Sequence, residues 1–158
     1  MRDKKLEILI GLATLFFLAH TVDHVARDLQ WPLTAQAVPF LAATAAILLI
    51  VFGALYLYRR GSIGARFWAI FGAITVAVGW LAHLSPYTDQ PVSYIYNFYR
   101  SPLAAGLAVG SLLALMLSLV LATLYAGMLW LQSRRIKEKP GNPTESVKGG
   151  LPPTKRVT

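Results

Sequence analysis

Four long apolar runs separated by short polar stretches set the pattern of this chain. They cover residues 6–26, 38–58, 67–84 and 103–131. Apolar runs of about 18 residues or more with few charges predict membrane-spanning helices, because about 20 residues at a rise of about 1.5 Å cross a hydrocarbon core of about 30 Å. The first three runs fit that length. The fourth holds 29 residues between Leu103 and Leu131, roughly 43 Å of helix, so it must tilt or project beyond the bilayer on its charged C-terminal side.

The run boundaries have local causes. Ser101-Pro102 places an N-cap before a proline at the first helical position, where the missing N–H costs nothing. Pro39 stands similarly near the start of the second run, and Pro86 disfavours helical geometry at Ser85 and so ends the third. Gly61 and Gly64 form a short turn between the second and third runs. The predicted fold is an all-α integral membrane protein, a bundle of four transmembrane helices within residues 1–137. Residues 138–158, rich in Pro, Gly, Lys, Ser and Thr, lack the apolar content for a core and are expected to be a disordered tail.

Composition sharpens this picture. The chain is 56% apolar and only 14% charged, and it has no cysteine. A soluble domain averages about 25% charged, and the lack of cysteine excludes a disulfide scaffold and a thiolate metal site. The net charge of +8 resembles a nucleic-acid signal until its placement is read. Arg2, Lys4 and Lys5 precede the first run, and Arg59, Arg60 and Arg66 flank the second loop. Arg134, Arg135, Lys137, Lys139, Lys148, Lys155 and Arg156 follow the fourth, so 13 of the 15 cations fall on one side and only Arg27 and Arg100 on the other. The positive-inside rule then puts both termini in the cytoplasm of a multi-pass cell-membrane protein, N-in and C-in. The expected partners of the cations are anionic lipid headgroups, not nucleic acid. The residues toward the end of the first run, His20-Thr-Val-Asp-His24, offer no small-x-small cleavage pattern, so that run is expected to be retained as a span.

Membrane helices associate through close packing. Gly106, Gly110, Ala114, Ser118, Ala122 and Ala126 give the fourth run a small residue at every fourth position, and Ala65, Ala69, Ala73 and Ala77 repeat the device in the third. These stripes are expected to build the chain's own bundle. The alternative use of the fourth-run stripe is a homodimer or a partner membrane subunit, which would make the chain an accessory part of a larger complex. Trp31, Tyr87, Tyr94, Tyr96, Phe98 and Tyr99 are expected to anchor the outer interface, with 91–100 lying along the membrane surface; Tyr56, Tyr58 and Trp130 would do the same inside.

The candidate chemistry lies in few residues. His20 and His24 are one helical turn apart on one face, with Asp23 nearly on that face and Arg27 one turn beyond Asp23. The third run passes in the opposite sense, so His83 arrives at a similar depth, on a face shared with Gly72 and Gly79 that would admit a neighbouring helix or a flat cofactor. Histidines at i and i+4 form a bidentate metal face, and a third imidazole from another helix could complete the set. The candidate ligands are therefore His20, His24 and His83, with Asp23 as a fourth ligand or a supporting partner. Arg27, Asp28, Tyr87 and Asp89 are the candidates for orienting the imidazoles from behind. Imidazole suits zinc, copper and iron alike. One histidine of the first run with His83 could instead be the axial pair of a b-type haem, with Arg27 or Arg100 on its propionates. The expected function is metal or haem binding at the extracytoplasmic face, extending to electron transfer, more in the manner of a non-enzymatic protein than an enzyme. Other uses of the same residues are a proton relay, a metal-dependent hydrolase, and a structural role with Asp23–Arg27 an ordinary ion pair. Glu7 is expected to sit at the interface, its charge favoured by the start of the first helix.

Overall fold

The computed structural model describes residues 3–28, 37–88 and 91–138. It is all-helical, with no strand among those residues: α1 (Lys4–Asp28), α2 (Ala37–Arg59), α3 (Ala65–His83), α4 (Val92–Phe98) and α5 (Pro102–Glu138). The four long helices are each long and apolar enough to cross a membrane, and each turns large apolar side chains outward, among them Val22, Leu49, Val78 and Leu117. Outward apolar surface of this extent is what lipid, and not water, favours. Of the tail expected over residues 138–158, Glu138 is the last residue of α5, and residues 139–158 lie outside the described residues, as do Trp31 and Asp89.

The ends of the helices follow local chemistry. Asp3 caps α1, its Oδ1 accepting from the N–H groups of Lys5 and Leu6 at 2.8 and 3.1 Å, which satisfies donors that the first helical turn leaves open. Gly61 adopts φ 75°, the left-handed conformation that glycine enters without penalty, and Ser62 N–H returns to Leu57 O at 2.9 Å. α3 stops at His83, where Leu84 and Ser85 both donate back to Trp80 O. α5 starts at Pro102, as its sequence predicts, but runs 37 residues, to Glu138. That is about 55 Å of helix, and its excess over a bilayer core carries Arg134 and Arg135.

α5 is the central element, packed along α1 on one side and α3 on the other, with α4 laid against its start. α2 joins the bundle mainly through α1. Two apolar cores result. One joins Leu6, Ile10, Ala54, Tyr58, Trp68 and Ala126; the other joins Ile95, Ala108, Leu112 and Met116. The segment expected to lie flat on the membrane is thus a short helix, anchored by the fully buried Ile95.

Two packing expectations need correction. The α5 stripe serves the bundle only in its second half: Ser118, Ala122 and Ala126 are buried, whereas Gly106 and Gly110 face outward. On α3 the close approach is not made by the alanine stripe, since Ala73 and Ala77 are exposed. It is made by Gly72 and Gly79, which meet Thr123 and Met116 of α5. The glycine face of α3 therefore meets α5 at Thr123 and Met116, and it also borders a cavity between α1, α2, α3 and α5. A Cβ at Gly72 would overlap the Thr123 side chain and reach 3.5 Å from its Cα, whereas at Gly79 it would meet the flexible end of Met116. Gly72→Ala should accordingly destabilise the protein by about 1–3 kcal/mol, the usual cost of overpacking, and Gly79→Ala by less. Unfolding midpoints of both variants in one detergent check this, and equal losses would contradict the α3–α5 seam.

The ends of the bundle that bear the chain start and the α2–α3 turn carry a polar knot that the sequence does not reveal. Tyr58 is buried, not an interfacial anchor, and its oxygen accepts from Asp3 N–H at 3.0 Å. Tyr125 donates to Asp3 Oδ2 at 3.1 Å. Glu7 accepts from Arg59 Nε at 3.1 Å. These bonds tie α1, α2 and α5 together and leave the histidines at the opposite end.

Candidate metal centre

The three histidines converge although α1 and α3 are far apart in sequence. His20 lies on the buried face of α1, and His83 is the last residue of α3. Because consecutive helices run in opposite senses, the end of α1 and the end of α3 meet at one level. His20 Nε2 and His83 Nε2 stand 3.2 Å apart. The His24 ring packs edge-on to His20 at 4.7 Å between centroids and lies 5.4 Å from His83; on its other side it meets Phe40 of α2 at 5.1 Å. One donor nitrogen from each of the three histidines lies within 4.8 Å of the others.

That spacing discriminates between the groups such a set could hold. Two nitrogens bonded to one tetrahedral ion at about 2.0–2.1 Å stand about 3.3 Å apart. Two axial ligands on opposite sides of a haem iron, at similar bond lengths, stand about 4 Å apart with the ring between them. The His20–His83 pair at 3.2 Å is close to the first spacing and is also a hydrogen-bond distance between two imidazoles, and the His24 nitrogen lies within 4.8 Å of both.

Asp23 belongs to the layer behind the imidazoles. It is buried, and its Oδ2 accepts from Arg27 Nε at 3.1 Å and from the terminal Nη2 at 2.9 Å. Its Oδ1 accepts from the Tyr99 hydroxyl at 2.6 Å. Asp23 Oδ2 stands 3.9 Å from His20 Nδ1, close enough for an electrostatic contact but beyond hydrogen-bond reach. That Nδ1 is buried with no hydrogen-bond partner among the described residues. A carboxylate behind a ligating imidazole fixes the ring's tautomer and orientation.

Arg27 pairs with Asp23 at 2.9 Å, an ion pair within α1. Tyr87 does not take the orienting place expected of it: it is 90% exposed. The Ser85 hydroxyl bonds Leu81 O at 2.9 Å and accepts from Tyr87 N–H at 3.3 Å, a turn that leads the ring away from the bundle. Asp28 ends α1, but its side chain lies outside the described residues, and so does all of Asp89. Tyr99 is the residue that sequence reasoning missed. Its phenol is pushed up to about 12, first by burial and then by the Asp23 carboxylate that it bonds, so it remains a donor at neutral pH. The sequence shows only one more aromatic residue in an interfacial segment. Its partner stands 76 positions away, and it is α4, packed on the start of α5, that returns the chain to α1.

A comparison with protein families, curated proteins and solved structures finds no match.

Proposed function

We propose that the chain is a multi-pass membrane protein that holds one divalent transition-metal ion between His20, His24 and His83. The single observation that carries this is the meeting of three imidazoles from two helices, their nitrogens within 4.8 Å of one another and those of His20 and His83 3.2 Å apart, close to the spacing about one tetrahedral ion. Asp23 positions His20, and Arg27 and Tyr99 hold Asp23. Three neutral nitrogen ligands leave one coordination position open, the arrangement found in reactive zinc sites, and the same set also suits copper or iron used for electron transfer. A bare ion is favoured over a b-type haem by the 3.2 Å spacing of the His20 and His83 nitrogens.

For sidedness, the cation distribution supports a histidine end on the extracytoplasmic side and a cation-rich end on anionic lipids of the cytoplasmic leaflet. Elemental analysis of the purified full chain should find about one transition-metal ion per protein, with no Soret band in its absorption spectrum. EDTA added outside sealed right-side-out vesicles should remove that ion. A Soret band would replace the bare ion by haem. Failure to take up zinc, copper or iron on dialysis would sink the site.

A further inference from the structure

Between α1, α2, α3 and α5 lies an elongated cavity of about 220 Å³. Its wall includes Ile10 and Trp68 toward one end, and His20 and His83 at the other. From Ile10 to His20 the helix rises about 15 Å. The two hydroxyls in the wall are spent on their own helices, Thr14 donating to Ile10 O and Thr75 to Phe71 O, both at 2.8 Å. A cavity so lined offers little to water, which needs two to four polar partners, whereas an apolar cavity of about 150 Å³ binds benzene. The volume and the length fit one hydrocarbon chain better than a compact ring, and the paired imidazoles make their end the more polar one, the opposite end holding one buried donor without a hydrogen-bond partner among the described residues, the Trp68 indole N–H.

We propose that this cavity binds a single-chain fatty acid, its hydrocarbon directed toward Trp68 and its carboxylate at His20 and His83. With no ion bound, the imidazoles are the hydrogen-bond donors at that end, and with an ion between them the carboxylate would take the open coordination position, so the inference goes beyond the metal reading and does not depend on it. The nearest acid, Asp23, is neutralised by Arg27 and tied by Tyr99, so it does not repel an incoming carboxylate. On one side the wall is Ile47, Leu48 and Val51 of α2, a helix that packs mainly on α1 and meets α3 at contacts that include the Tyr58–Trp68 rings at 6.5 Å. That side faces the bilayer in the proposed arrangement, where fatty acids partition.

Trp68, only 5% exposed, is the reporter. In the full chain with Trp31, Trp80 and Trp130 replaced by Phe, omega-bromododecanoate should quench Trp68 strongly, in EDTA so that no ion contributes. Alpha-bromododecanoate, with its bromine beside the carboxylate, should quench weakly. Equal quenching by the two, or stronger quenching by the alpha isomer with the head at the indole N–H, would overturn the proposal. So would equal quenching by a brominated phospholipid, too bulky to enter, or by omega-bromododecanol, which lacks the carboxylate. In the native-sequence chain, dodecanoate should raise the unfolding midpoint, and Ala13→Leu, which fills the wall at a buried position, should abolish that rise. An unchanged rise in Ala13→Leu would place the fatty acid elsewhere and overturn the assignment.

Discussion

Replacing either His20 or His83 by alanine is expected to abolish stoichiometric metal binding while the helical content survives. Each contributes one nitrogen of the 3.2 Å pair, and losing either leaves two imidazoles, a set too small for a buried tetrahedral site. The loss in affinity should exceed the 10–100-fold typical of removing a partner behind a ligand. His24→Ala should also weaken binding sharply, because its ring stands 4.7 and 5.4 Å from the other two. Cobalt(II) gives the most direct readout. A tetrahedral ion with three nitrogen ligands has intense visible bands, which the native chain should show and the His20 and His83 variants should lose. An unchanged titration in His83→Ala, with the protein folded, would mean that the inter-helix pair is only a hydrogen bond between two neutral rings.

The sequence exposes this pair because its logic is periodic. Spacing of four puts His20 and His24 on one face, and an even number of crossings brings the end of the third span to the level of the end of the first. What places residues laterally is less legible. Small residues at every fourth position mark a surface that permits close packing but do not say which half is used: Ser118, Ala122 and Ala126 go inward, Gly106 and Gly110 outward. Tyrosines near span ends are equally compatible with anchoring and with a buried bond. Tyr87 took the exposed course, whereas Tyr58 and Tyr99 took the other. The deciding contacts are long-range, such as Tyr99 with Asp23 and Tyr125 with Asp3. They depend on how α4 and α5 turn back on α1, which no local pattern encodes.

The second large effect concerns the Asp23–Arg27 pair. Asp23 is 6% and Arg27 3% exposed, and they bond through two nitrogens at 2.9 and 3.1 Å. Asp23→Ala removes the carboxylate that accepts both guanidinium bonds, in a site whose low dielectric makes an uncompensated charge costly, and it also strands the Tyr99 hydroxyl. Breaking a buried pair from one side costs about 3–5 kcal/mol, whereas an exposed pair contributes only about 0–1. Denaturation of Asp23→Ala in bicelles should therefore show a loss of at least about 3 kcal/mol, and a loss below about 1 would mean that water reaches the pair. The double variant Asp23→Leu, Arg27→Leu should recover most of the stability, since packed apolar side chains often replace a buried pair without penalty. The recovery separates folding from positioning. If Asp23 orients His20 through the Nδ1 that stands 3.9 Å away, the restored double variant should still bind metal about 10–100-fold more weakly than the native chain. A double variant with both stability and metal affinity restored would make Asp23 a structural residue alone.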